Sequence, residues 1–215
     1  MANKMLVGTR KGLLIFEQTG SGWALESEHF EALPVTHAMI DERNGTMWAA
    51  LDHGHWGCKL HRSKDAGATW EEVEAPKYPE GATRPPDDKT PATTSYIWIV
   101  QAGGNDQPNR VYVGTEPGGL FVSDNGGDSF QLMDTLWNQP SRDNWFGGGR
   151  DHPGVCSIIV DPRNSNHVTI GISVGGVYET SDGGETWSAR NKGLVAEYSP
   201  DPYSEFGHDP HYILA

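Results

Sequence analysis

The octapeptide Ser63-Lys64-Asp65-Ala66-Gly67-Ala68-Thr69-Trp70 returns as Ser123-Asp124-Asn125-Gly126-Gly127-Asp128-Ser129-Phe130 and again as Thr180-Ser181-Asp182-Gly183-Gly184-Glu185-Thr186-Trp187. The shared pattern is Ser/Thr-x-Asp/Asn-x-Gly-x-Ser/Thr-Trp/Phe. Its copies start at residues 63, 123 and 180, so they are spaced by 60 and then 57 residues, about the length of one four-stranded sheet with its loops. Each copy has the chemistry of a tight hairpin turn. Asp65, Asn125 and Asp182, with Ser63, Ser123 and Thr180 before them and Thr69, Ser129 and Thr186 after, can bond nearby backbone. Gly67, Gly127 and Gly184 stand where φ is expected to be positive. Trp70, Phe130 and Trp187 then return the chain to a packed layer.

The residues before each copy read as two short strands split by a Gly-containing turn: 47–51 with 58–62, 111–114 with 119–122, and 168–172 with 176–179. A further strand follows each aromatic. Upstream lie apolar runs at 35–40, 96–100 and 155–160, each ending in a turn. A full repeat therefore holds four strands, A to D in chain order, with the octapeptide closing the C to D hairpin. A degenerate copy at the N-terminus has strand patterns at 5–9 and 13–16 but only Gly20-Ser21-Gly22-Trp23 at its turn, and no A strand.

Four-stranded units repeated in this way indicate an all-β chain, a β-propeller of antiparallel blades. The octapeptides resemble the Asp-box, or BNR, repeats of sialidase-like and sortilin-like propellers, and Val7-Gly8-Thr9-Arg10-Lys11-Gly12-Leu13 strengthens the likeness. The chain resembles in particular the bacterial BNR-repeat proteins often labelled exo-α-sialidase or glycosyl hydrolase. The repeats span approximately 1–30, 35–75, 95–134 and 155–190 of one domain, with a further blade starting at 210–215. About four blades are expected, as an incomplete portion of a six- or seven-bladed propeller; the alternative is a small ring closed by pairing 211–215 with the N-terminal repeat. An open blade edge would favour self-association.

Lys and Arg number 16 against 29 Asp and Glu, a formal charge of -13, which disfavours nucleic-acid partners because no basic stripe is present to displace counterions. No apolar run approaches the roughly 18 residues of a membrane span, and no leader is recognised, so a cytoplasmic protein is the expectation. Cys58 and Cys156 lie in different repeats and read as buried thiols.

Because strands alternate in direction, B to C turns and D to A connections share one face. Octapeptide turns and A to B turns share the other. The first face collects three connections of roughly 20 residues, 76–94, 134–154 and 190–210, a length associated with function. The candidate ligand-binding residues are Arg10, His53, His55, Glu116, Arg142, Trp145, Arg150, His152 and His211. Arg10 would pair a carboxylate or hydroxyl-rich ligand, Glu116 would accept from hydroxyls, and Trp145 would stack on an apolar face. The expected partners are a small polar or carbohydrate ligand, or a protein. The proline-rich tract 76–91 reads as an exposed loop or lid.

The resemblance also implies a glycoside-hydrolase reading, with Arg10, Arg142, Arg150, Tyr203, Glu205 and Glu116 as parts of an Arg, Tyr and carboxylate site. The Phe/Tyr-Arg-Ile-Pro motif of sialidases is absent, Arg10 standing in Thr9-Arg10-Lys11-Gly12 instead. No cofactor is required. A divalent metal on His53 and His55, joined by His37, His152, His208 or His211, is the one cofactor the pattern admits; the alternative is that these histidines hydrogen-bond loop backbone or stack on Trp56 and Trp145.

Overall fold

The computed structural model describes residues 3–84 and 89–214. Residues 85–88 of the proline-rich tract and positions 1, 2 and 215 lie outside the described residues. The chain divides into two compact units, Met1–Ala75 and Pro76–Ala215, and each is treated by itself.

The first unit holds two antiparallel sheets. One has three strands, β1 (Lys4–Thr9), β2 (Gly12–Thr19) and β3 (Gly22–His29). The other has four: β4 (Val35–Ile40), β5 (Met47–Asp52), β6 (Cys58–Ser63) and β7 (Glu71–Val73). Leu13, Ile15, Val35, Met47, Ala49 and Leu51 form its core, with Phe30 and Trp70 packed against it.

The second unit repeats the four-stranded plan twice. Its sheets are β8 (Tyr96–Ala102), β9 (Val111–Glu116), β10 (Leu120–Ser123) and β11 (Gln131–Leu132), then β12 (Gly154–Val160), β13 (Val168–Ser173), β14 (Gly176–Thr180) and β15 (Ser188–Ala189). A larger core gathers Ile99, Tyr112, Trp145, Val155, Ile170 and Tyr178 among others. The strands expected in the four repeats are present, most of them within a residue or two of their expected bounds and the one at 13–16 extended to Gly12–Thr19, and the N-terminal sheet has three strands without an A strand.

The repeated turns are built alike. In the first, the Ser63 hydroxyl donates to Asp65 Oδ1 (2.8 Å) while accepting from Gly67 N (2.9 Å). Asp65 then accepts from Thr69 N (2.9 Å) and the Thr69 hydroxyl (2.6 Å). Thr180, Asp182, Gly184 and Thr186 reproduce all four bonds. At the middle turn Asn125 keeps three, and the fourth reverses, its amide Nδ2 donating to Ser129 Oγ (2.9 Å). Gly67, Gly127 and Gly184 have φ of +96°, +90° and +97°, a region that favours glycine. These bonds to the charged form hold the Asp65 carboxyl down at about 2 and the Asp182 carboxyl below the usual range.

Two further features recur that the sequence pattern did not announce. Each A strand bulges against its B strand at one position, between Val35 and His37, Ile97 and Ile99, and Val155 and Ser157, so Thr36, Trp98 and Cys156 fall out of register. A B-strand glycine also meets the following A-type segment: a Cβ on Gly8 would lie 3.1 Å from Val35 O, on Gly114 2.3 Å from Val155 O, and on Gly171 3.1 Å from Ile213 Cδ1. Side-chain-free backbone at these points lets neighbouring sheets within a unit approach closely.

Residues 211–214, expected to begin a further blade, form no strand. Instead Ile213 N donates to Ser157 Oγ (3.1 Å), the Cys156 thiol to Pro210 O (2.8 Å), and the Ser173 hydroxyl and Val174 N to Asp209 Oδ1. These bonds tie the segment along β12 and the end of β13. Nor is the 76–91 tract simply exposed: Pro76 is buried, and Tyr78 packs on Phe121 and Trp137 with its hydroxyl bonded to Thr115 Oγ1 (2.8 Å) and Gly119 N (2.9 Å).

Two measurements check this account. Gly114→Ala drives a methyl into the Val155 carbonyl and is expected to cost about 2–3 kcal/mol in urea unfolding, whereas Gly126→Ala, in open space, is expected to cost less than half as much despite its positive φ. Burial also pushes the His37 imidazole from 6.5 to about 4. The unfolded chain therefore binds a proton that the fold refuses between those values, and His37 is expected to remove up to about 3 kcal/mol of stability as pH falls from 6.5 to 4. Denaturant midpoints of the wild type and His37→Gln should diverge over that window.

Candidate functional site

In the first unit, Arg10 is exposed at the turn between β1 and β2, whose form is set by the Thr9 hydroxyl donating to Gly12 O (2.8 Å) and accepting from Lys11 N (3.0 Å). His53 precedes a 3-10 turn, Gly54–Trp56, and His55 stacks edge-on against the exposed Trp56 at 5.5 Å. No group of three or more His, Cys, Asp or Glu side chains able to hold a metal occurs among the described residues. The stacking alternative for His55 is the arrangement present.

The second unit brings several candidates together. Glu116 ends β9, a strand buried along its whole length, and is only 2% exposed. Its carboxylate takes a hydrogen bond from Arg150 Nε, in the loop before β12. The Arg150 guanidinium stacks over the ring of Tyr96, at the start of β8, 4.1 Å from its centroid. Tyr96 in turn meets Trp98 edge-on at 5.2 Å, and the Trp98 indole lies against Gly154, where a Cβ would come within 2.1 Å of Nε1. A buried carboxylate, a cation and two aromatics thus form one continuous wall.

Two residues along the chain from Arg150, His152 Nε2 lies 3.1 Å from Arg84 Nη1. A guanidinium only donates, so Nε2 accepts and the imidazole carries its proton on Nδ1. Both that Nδ1 and Arg84 Nε are buried without a hydrogen-bond partner among the described residues. Arg142 is fixed by donating to Thr83 O and by lying over the Trp137 ring, 3.8 Å from its centroid.

Other candidates serve the core or stand apart. Trp145 is fully buried, its indole N–H donating to the Tyr178 hydroxyl (3.0 Å), which also pairs with Ser141 Oγ (2.7 Å). It offers no face for stacking on a ligand, because the short helix 134–137 and the 3-10 turn 140–144 carry the loop inward. His208 is buried and donates Nε2–H to Ser204 O (2.8 Å). His211 is exposed and paired with Asp209 Oδ2 (3.0 Å). Cys58 and Cys156 are free thiols, Cys156 buried, Cys58 half-buried, and burial pushes Cys156 up to about 11.

Tyr96, Arg84, Tyr78 and Asp209 are the contributors the candidate set lacked. Tyr96 opens an A-strand run like Val35 and Val155, and its position on the loop face was the available signal. Arg84 lay in a tract read as a lid.

No family model matches the chain. An 82-residue stretch is 30% identical to the oligoxyloglucan-reducing end-specific xyloglucanase of Emericella nidulans, covering 38% of this chain and 9% of that protein. A GH74 enzyme from Niastella koreensis aligns in structure with 99% of the chain and 30% of its own, at TM-score 0.58 and 19% identity. The GH74 xyloglucanase from Xanthomonas campestris aligns with 84% and 26%, at 0.55 and 17%. YCF48 from Cyanidioschyzon merolae aligns with 86% and 51%, at 0.51 and 13%. The chain thus spans less than a third of the length of the xyloglucan-related proteins it matches. The fold is that of β-propeller blades, three of four strands and one of three, a number that fits part of a larger propeller.

The Glu116 and Arg150 pair sets a testable energetic expectation. Arg150→Leu strands a buried carboxylate and is expected to cost about 3–5 kcal/mol, while Glu116→Gln with Arg150→Leu recovers most of that loss. Urea unfolding of the two variants beside the wild type measures both.

Proposed function

We propose that the chain belongs with the Asp-box propellers, that its repeats form one domain, and that the loop face of residues 76–215 is a binding site for a polar ligand rich in acceptor oxygens, of the carbohydrate class. The observation that carries this reading is the joining of Glu116, Arg150, Tyr96 and Trp98 into one polar and aromatic wall, with Arg84 Nε and His152 Nδ1 left without a hydrogen-bond partner among the described residues. The Tyr96 and Trp98 rings supply the adjacent apolar wall.

Binding is favoured over hydrolysis by the state of Glu116. A general acid or nucleophile needs a carboxyl free to exchange protons or attack, and this one is engaged by Arg150. The tyrosine nucleophile reading gains nothing from Tyr203, which is strongly exposed, while among the described residues no hydrogen bond joins it to Glu205. The hydrolase reading keeps its support from the xyloglucanase stretch, and is the second reading for that reason.

Calorimetry of the protein with xyloglucan oligosaccharides and a panel of neutral and acidic oligosaccharides tests both. Saccharide binding weakened at least tenfold by His152→Phe, with unchanged melting temperature and no release of reducing ends, is the expected result. Failure of every saccharide to bind overturns the proposal, and release of reducing ends that Glu116→Gln abolishes transfers it to hydrolysis.

A further inference from the structure

The connection 190–210 leaves exposed the apolar side chains Leu194, Val195, Tyr198 and Tyr203, the two tyrosines at 60% and 77%. Four such residues within ten positions exceed the scatter of single apolar groups that any surface carries. They do not belong to a slack loop. Asn191, itself buried, accepts from Val177 N (2.7 Å) and donates Nδ2–H to Glu205 O (2.8 Å). Ala196, also buried, donates its N–H to Pro202 O (2.9 Å). The Tyr198 hydroxyl donates to Gly207 O (2.6 Å), and His208 is bonded back to Ser204 O. The chain is anchored at both ends and across its middle, so its exposed rings are presented in a fixed arrangement, which lowers the ordering cost of binding.

The charge of this surface is predominantly negative. Between residues 191 and 206 stand Glu197, Asp201 and Glu205, all exposed, against Lys192. Among the described residues none of these three carboxylates takes part in an ion pair, although Asp161, Glu179 and Glu116 in the same unit all do. Acidic side chains four residues apart thus alternate with tyrosine rings. That pattern suits the side chains of Arg and Lys, whose stems lie on aromatic faces while their heads reach carboxylates. A nucleic acid is repelled, and a neutral saccharide leaves the carboxylates unused.

We propose that residues 194–206 form a docking surface for a basic polypeptide segment carrying apolar side chains between its cations. The apolar residues cover Leu194, Val195 and the tyrosine rings. The cations meet Glu197, Asp201 and Glu205. This surface is independent of the saccharide reading, since it uses none of Arg84, Arg150 or His152.

The test is fluorescence anisotropy with three labelled 14-residue peptides, one alternating Arg with Leu and Phe, one with Arg replaced by Glu, and one with Leu and Phe replaced by Ser. The expected result is micromolar binding of the first, at least tenfold weaker binding of the other two, and a tenfold loss in either Tyr203→Ser or Glu197→Lys/Glu205→Lys at unchanged melting temperature. Equal binding by wild type and variants overturns the proposal, as does equal affinity for the basic peptide lacking apolar residues, which marks unspecific charge attraction. Sedimentation showing a dimer that Tyr203→Ser dissociates, with no peptide bound, assigns the surface to a second copy of this chain and overturns it as well.

Discussion

The structure depends on what happens at the third position of an eight-residue turn. A short polar side chain there accepts from the hydroxyl of the residue two before it and the N–H of the residue four after it, and bonds that residue's hydroxyl as well, as acceptor in Asp65 and Asp182 and as donor in Asn125. The first of these hydroxyls also accepts from the glycine N–H, so each donor and acceptor in the turn is used by another part of it. The hairpin between the third and fourth strands is thereby fixed by local bonds, and Trp70 and Trp187, which follow the first and third turns, pack into the cores. A strand as short as Gln131–Leu132 or Ser188–Ala189 has little pairing of its own, and the turn is what holds it in register.

Given rigid hairpins, the remaining problem is to stack sheets. Within each unit the solution is subtraction: a glycine in the second strand removes a side chain where the next segment crosses, at Gly8, Gly114 and Gly171. The bulge in each first strand complements this by turning one residue out of the ladder. Trp98 is such a residue, and its indole closes on the start of β12. The bulge thus brings the Tyr96 and Trp98 wall to the loop that supplies Arg150 and His152. Stacking geometry and site geometry have one origin.

Strand positions were legible because alternation and turn chemistry are local, and 47–51 or 168–172 needed no knowledge of their neighbours. The octapeptide glycines were legible for the same reason. The fate of side chains on long loops was not. Trp145 reads as an exposed aromatic until the turns at 134–137 and 140–144 are known to bury it, and His208 reads as a ligand until its imidazole is found bonded to Ser204 O. Glu116 and Arg150 were both recognised, but their pairing, which joins a buried carboxylate to a half-buried guanidinium, bridges residues 34 positions apart in the chain. Segment 211–214 was read as a strand by its spacing, but the hydroxyl of Ser157 together with Gly171 gives it a place along β12 and β13 without strand structure.

The one amide among the three turns breaks an apparent symmetry. Asp65 and Asp182 do their work as anions, and a proton on either carboxyl competes with the donors gathered around it. Asn125 cannot titrate, and its reversed bond to Ser129 is indifferent to acid. Three hairpins of nearly identical shape are therefore not interchangeable in a strongly acidic solution: the outer two share a point of failure, and the middle hairpin is left to carry the repeat.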